Sequence, residues 1–200
     1  MDIEKQKEHF KNHIATFSDY GNIKIIDFAN PESCHYRIRF IFEEDFYRLH
    51  ISGDLGELIA TNYRNMCYKD FAEDFVHDID YFRRKVVCHN RPFYIFDYVK
   101  AREELTKRFE DYECIFPCDP ETEEAYKEEN IDLILEDFNC ETGLGSMAFF
   151  RLSDIDKDCF EWIGEIGRVE TDILELYMLA FELAQEQLKK QSEEEQDAKS

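Results

Sequence analysis

The sequence is poor in glycine and proline, with 7 and 4 in 200 residues, which argues against a loop-rich or disordered chain. It contains no run of about 18 apolar residues, so no membrane-spanning helix is expected. Its opening stretch, MDIEKQKEHF, is charged and lacks the apolar core of a signal peptide. The seven cysteines (34, 67, 88, 114, 118, 140 and 159) are odd in number and scattered, which does not suit a disulfide framework. Reduced thiols in a cytoplasmic setting are expected. No nucleophile elbow, HExxH helix or protease signature is present, so no enzyme activity is expected.

Positive charge is the scarcest commodity, and its shortage is uneven. Residues 1–100 hold 14 Lys and Arg against 17 Asp and Glu, net −3. Residues 101–200 hold 10 against 29, net −19, within a total of −22. This excludes nucleic acid as a direct ligand of the C-terminal half, because phosphate binding needs Lys and Arg. It favours a basic partner surface; solubility alone is the competing use of such charge.

Aromatic residues are abundant, 18 Phe and 11 Tyr, enough to build a sizeable core in one domain or two small ones. Residues 2–18 read as a helix, with Ile3, Phe10, Ile14 and Phe17 near one stripe and Gly21 after it. Four strands follow, at 22–28, 34–42, 46–52 and 57–61. In CHYRIRFIF, Tyr36, Ile38, Phe40 and Phe42 alternate with His35, Arg37 and Arg39. Residues 68–86 read as the covering helix, carrying Phe71, Phe75, Ile79 and Phe82. An edge strand is expected at 91–98, begun by Pro92, and a helix at 97–113.

From about residue 114 the composition turns acidic. A helix is expected over 120–138, a loop over NCETGLGSM, and a long helix over 169–190 with the stripe Ile173, Leu176, Leu179/Ala180 and Leu183. The expected fold class is α+β: an N-terminal antiparallel β-meander covered by helices, then an acidic, mostly helical C-terminal part. The corresponding divisions are a sheet-and-helix module (1–113), an acidic helical region (114–190) and a flexible tail (191–200).

Several stretches carry possible chemistry. SGDLG (52–56) is not a phosphate loop, because no Lys-Ser/Thr follows and Asp54 repels phosphate; it reads as a hairpin turn. GLGSMA (143–148) lacks a surrounding strand–turn–helix unit. Asp154, Asp156, Asp158 and Glu165 occupy positions 1, 3, 5 and 12 of a calcium loop, but Cys159 stands where glycine is needed. Acids in the first turn of a helix capped by Ser153 explain them more simply, since chance matches come easily in so acidic a chain. Cys88, His89, Cys114 and Cys118 form the best zinc set without a finger spacing. His9 and His13 lie one helical turn apart without a third ligand. Arg37, Arg39, Arg48 and His50 form a basic face, either an anion site or a row neutralised by the protein's own acids.

The stretch YRLHISGDLGELIATNY, followed by YKDFAEDFVHDIDYFRRKV, resembles uncharacterised phage and prophage proteins. The residues that carry the resemblance are Gly53, Asp54 and Gly56, then Phe71, Phe75, Tyr81, Phe82 and Lys85. It spans about a quarter of the chain. By context it resembles acidic anti-CRISPR and anti-restriction inhibitors, and so implies the cytoplasm of a bacterial host. What it implies is a non-enzymatic inhibitor whose carboxylates occupy the Lys/Arg-lined groove of a nuclease such as the CRISPR effector Cas9, standing where DNA phosphates would.

The acids best placed for this are Glu121, Glu123, Glu124, Glu128, Glu129, Asp132, Glu136 and Asp137. On a helix, Glu121, Glu124, Glu128 and Asp132 share one face. No cofactor, membrane or nucleic acid is expected as a direct ligand. The rival readings are a calcium- or zinc-binding factor or enzyme using Asp154–Glu165, and a phage adaptor protein.

Overall fold

A computed structural model describes residues 2–110 and 120–197. The chain divides into two compact units, residues 1–93 with 172–200, and residues 94–171. The boundaries drawn at 113/114 and 190/191 from composition therefore do not match the compact units: contacts, not charge, define them. The last helix belongs to the first unit.

The first unit opens with helix α1 (Ile3–Phe10), capped by Asp2, whose side chain accepts from the Lys5 amide. The helix expected over 2–18 stops here. Ile14–Asp19 instead forms strand β1, because its β-branched residues pair with a neighbour and bury Ala15. The strands β2 (Ile23–Ala29), β3 (Ile38–Glu43), β4 (Arg48–Gly53), β5 (Leu58–Thr61) and β6 (Val86–His89) complete a six-stranded antiparallel meander in the order β1-β2-β3-β4-β5-β6. The sixth strand, Val86–His89, lies where the expected covering helix ends and the next stretch begins.

Alternation decides the sheet's faces. Ile26 and Phe28, then Ile38, Phe40 and Phe42, then Leu49 and Ile51, then Leu58 and Ala60 point to one side and are buried. The SGDLG stretch closes β4 onto β5 as a turn, with the Gly56 amide bonded to the Gly53 carbonyl at 3.2 Å. Gly53 has φ +138, and a Cβ there would lie 2.1 Å from the Arg37 carbonyl oxygen, so only glycine fits.

The covering helix expected over 68–86 is two short ones, α2 (Phe71–Asp74) and α3 (Ile79–Arg83). Asp78 breaks it: its carboxylate accepts from the Tyr81 amide at 2.9 Å and starts a new helix. Phe71, Phe75 and Phe82 stay buried. Most of the cover comes from helix α7 (Ile173–Asp197). Its buried residues are Leu174, Tyr177, Met178, Phe181 and Ala184, with Leu179 and Ala180, whereas Ile173, Leu176 and Leu183 flank them half-buried. The true stripe is thus one residue out of phase with the expected one. The Phe181 ring meets those of Phe40, Phe42 and Phe71 at 5.3, 6.0 and 4.8 Å between centroids. Helix α7 also runs through residues 191–197, where a flexible tail was expected; residues 198–200 lie outside the described ones.

α7 does one further thing to the sheet. β1 is an edge strand, and its backbone groups need partners. The Gln187 side chain supplies them: Oε1 accepts from the Ala15 amide at 3.0 Å and Nε2 donates to the His13 carbonyl at 2.9 Å. Gln191 adds a longer bond to the Ala15 carbonyl, 3.4 Å.

In the second unit, β7 (Tyr94–Phe96) pairs antiparallel with β10 (Arg168–Glu170), so the edge strand expected at 91–98 does not extend the large sheet. Between them lie α4 (Tyr98–Glu110), α5 (Pro120–Leu135), a small hairpin of β8 (Phe138–Asn139) and β9 (Gly143–Leu144), and α6 (Ser146–Ile155). The hairpin stands where NCETGLGSM was expected to be a loop. α4, α5 and α6 bury Ala101, Leu105, Phe109, Ile131, Ile134, Leu135, Ala148 and Leu152 in a separate core.

Candidate partner-binding surface

The second unit concentrates the charge. Residues 94–171 hold 22 Asp and Glu against 8 Lys and Arg, net −14 of the total −22. Helix α5 forms because Ile131, Ile134 and Leu135 bury against α4 and α6, which leaves its N-terminal half to be set by charge. Glu121 and Glu123 lie in its first turn, where the helix dipole favours anions.

The eight acids expected to bind a partner fall into two groups. Four are engaged within the unit. Glu123 pairs with Lys127 at 2.8 Å, Asp132 pairs with Arg102 on α4, and Glu136 lies 3.9 Å from Arg151 on α6. The Asp137 carboxylate accepts from the amides of Met147 and Ala148, at 2.8 and 3.2 Å, and so caps α6. A Cβ on Gly145 would sit 2.4 Å from this carboxylate, which is why the GLGSMA glycine is there: it makes room for a cap, not for a phosphate. Glu121, Glu124, Glu128 and Glu129 are exposed and form no ion pair with a described residue. Glu124 and Glu128 stand at i,i+4 with like charge, which costs an isolated helix about 0.2–0.5 kcal/mol. The row borders a groove of about 370 Å³ between α4 and α5, with Arg102, Phe109 and Ile131 among its walls.

The basic face of the sheet is neutralised internally. Asp54 receives the Arg37 backbone amide at 2.9 Å and its guanidinium at 3.3 and 3.2 Å, which holds the Asp54 carboxyl below the usual carboxylate range. Arg39 is bidentate on Asp27, at 2.5 and 2.9 Å, across the β2–β3 register. Arg48 and His50 both face Glu43, at 3.6 and 3.1 Å. Each of these four side chains thus has a carboxylate partner within the first unit.

The same outer face holds a shallow hollow of about 290 Å³ that includes Ile41, His50, Ile59 and Cys88. Cys88 pairs with Ile59, which pairs with His50, so two strand spacings, roughly 10 Å, separate the backbones of Cys88 and His50. Elsewhere, burial pushes the Cys67 and Cys159 thiols up, away from reactive thiolate.

The calcium-loop acids disperse. Asp154 lies on α6, Asp156 accepts from the Trp162 indole and the Asp158 amide, and Glu165 pairs with Arg168. Among the described residues no three His, Cys, Asp or Glu side chains are grouped to hold a metal. Cys114 and Cys118 of the zinc set lie outside the described residues. His9 stacks on Tyr36 at 4.6 Å, while His13 is buried with Nε2 3.1 Å from the Tyr36 carbonyl oxygen, so the two do not converge. No described helix is long and apolar enough to cross a membrane.

One set of surface residues escaped the sequence reading. α6 buries Ala148 and Leu152 yet turns Met147, Phe149 and Phe150 outward, at 56, 37 and 62% exposure. The signal was present: residues 146–155 have apolar side chains on both faces of a helix, which an ordinary surface helix does not. Reading this stretch as part loop and part calcium motif hid it.

Comparison with protein-family models, with curated proteins and with solved structures finds no match to this chain.

Proposed function

We propose that the protein is a non-enzymatic binding protein whose acidic second unit docks in the Lys/Arg-lined nucleic-acid groove of a nuclease, an anti-defence inhibitor of the anti-CRISPR kind. The observation that carries this reading is the row Glu121, Glu124, Glu128 and Glu129: exposed, mutually repelling and without cation partners among the described residues. A helix that keeps such a row forgoes stability, and a cationic partner returns it by supplying the missing counter-charges. The spacing of carboxylates along a rigid helix lets them compete for cations that otherwise hold phosphates. The phage-like hairpin residues Gly53, Asp54 and Gly56 suggest the setting, and a CRISPR effector nuclease is the partner to try first.

The test is binding to a purified Cas9-type effector, with and without guide RNA, at low and high salt. Affinity that falls with salt, competes with DNA, and drops when Glu121, Glu124, Glu128 and Glu129 are changed to Gln supports the reading. Absence of binding at low salt, or affinity unchanged in the fourfold Gln variant, overturns it.

A further inference from the structure

α6 is a surface helix with the wrong outside. Ten residues long, it has Ala148 and Leu152 in the core, and its outward arc carries Ser146, Met147, Phe149, Phe150, Ser153 and Asp154. Three large apolar side chains lie together there, and the Phe149 and Phe150 rings are 6.1 Å apart. Scattered apolar residues on a surface need no explanation, but a contiguous set does. None of the three belongs to the buried core of the unit, to which α6 contributes Ala148 and Leu152.

Their surroundings say what covers them. The Met147 amide is 2.8 Å from the Asp137 carboxylate, and Arg151, one residue after Phe150, reaches Glu136 at the end of α5. Glu136, just past the end of α5, follows Glu128 and Asp132 at four-residue spacing; Asp132 and Glu136 are already met by Arg102 and Arg151, so the unpaired row ends at Glu129 and paired acids carry the anionic stretch on to α6. Asp154 closes the other end of the arc. An apolar centre with a carboxylate margin, in a unit of net −14, is complementary to a cationic surface that carries apolar side chains among its Lys and Arg.

We infer that Met147, Phe149 and Phe150 are the apolar anchor of a docking surface for a basic protein segment with apolar side chains, the acid row of α5 being its electrostatic margin. This rests on the basic partner proposed above and adds a contact that carboxylates alone do not make. DNA offers no such apolar side chains, so the anchor distinguishes a protein occupant from mere charge mimicry.

The experiment uses the full chain and two labelled helical peptides of equal length and charge, one alternating Lys with Ser, the other with Leu at helical spacing. Binding is read by fluorescence anisotropy. The wild type is expected to hold the Lys/Leu peptide at least about tenfold more tightly than the Lys/Ser peptide, from burial of two or three large side chains. Met147→Ser with Phe150→Ser should erase that preference while leaving the Lys/Ser affinity and the melting temperature unchanged. Equal affinity for both peptides, lost in the fourfold Gln variant, overturns the anchor and leaves the acid row standing. A Lys/Leu preference that survives in the Gln variant supports the anchor and removes the acid row from the reading. Concentration-dependent dimers that dissolve with Phe150→Ser would assign the patch to a second copy and overturn the inference.

Discussion

Replacing Gln187 tests whether a side chain can stand in for a strand. The residue satisfies two backbone groups at the start of the edge strand β1, the Ala15 amide within it and the His13 carbonyl just before it, at 3.0 and 2.9 Å. Its amide sits against β1 as a neighbouring peptide unit would. Ala15 is 1% exposed, so its amide has little access to water once Gln187 is gone. Gln187→Met keeps the length and the packing but offers neither donor nor acceptor. Leaving one buried amide and one carbonyl of a buried residue unpaired costs about 1–3 kcal/mol for each group at most, and about 2–4 kcal/mol in all. Urea unfolding followed by far-UV circular dichroism measures this as a fall in midpoint at constant slope. Gln187→Glu separates the two bonds. One carboxylate oxygen still accepts from Ala15, but the other faces the His13 carbonyl oxygen and repels it. This raises the folded pKa of the new carboxyl above its unfolded value, so the stability of that variant rises as pH falls through the folded pKa and the group becomes a donor. A loss below about 0.5 kcal/mol in Gln187→Met, within the scatter of neutral surface changes, would refute the latch.

His13 is buried among Phe10 and Phe28, with Nε2 bonded to the Tyr36 carbonyl and Nδ1 without a partner, and burial pushes its pKa below the ordinary histidine value. The unfolded chain therefore binds the proton first: this contribution is complete above about pH 6.5 and is lost as pH falls toward the folded pKa, with a slope of up to about 1.4 kcal/mol per pH unit. Unfolding free energies of wild type and His13→Gln between pH 8 and pH 5 should differ in that slope; equal slopes would count against a buried neutral imidazole. Asp137→Ala removes the cap of α6 and should cost about 0.5–2 kcal/mol, with faster amide exchange at Met147 and Ala148 than elsewhere; uniform exchange would assign the cost to something else.

Period-two alternation identifies the buried faces of β3 and β4, although the strand expected at 34–42 begins only at Ile38, with Tyr36 before it in a turn at φ +61. Ile38, Phe40 and Phe42, and then Leu49 and Ile51, fell on the buried side as their spacing required, and the SGDLG turn followed from Gly53. Helical spacing misled where apolar residues happened to recur at three and four. Ile14 and Phe17 fit a helix on paper, but strand pairing with β2 fixed them, a non-local contact that no window of sequence contains. Phe71, Phe75 and Phe82 were rightly placed in the core; their helix was broken by the capping of Asp78, a side-chain hydrogen bond that outweighed the periodicity. The apolar spacing identifies α7 as a helix and places Leu179 and Ala180 in the core, but not Leu174, Tyr177, Phe181 and Ala184, because Leu and Phe occur on more than half of its circumference. The acid row was legible because charge needs no contacts to be counted. Which acids are already paired was not, since Asp132 meets Arg102 thirty residues away.

The first unit is written in two pieces, with the second unit between them. During synthesis, the sheet and its row of phenylalanines are complete at His89, yet α7, which shields them, is made only after residue 171. At about 5–20 residues per second, roughly 80 intervening residues keep that apolar face waiting for about 4–16 s. The acidic unit is contiguous and can finish first. A nascent chain of this design exposes its stickiest surface for seconds while a strongly anionic unit is added to the same chain, and like-charge repulsion between nascent chains on adjacent ribosomes then works against their coalescence. Swapping the acids of the second unit for neutral residues would, on this logic, show itself first as a lower yield of soluble chain.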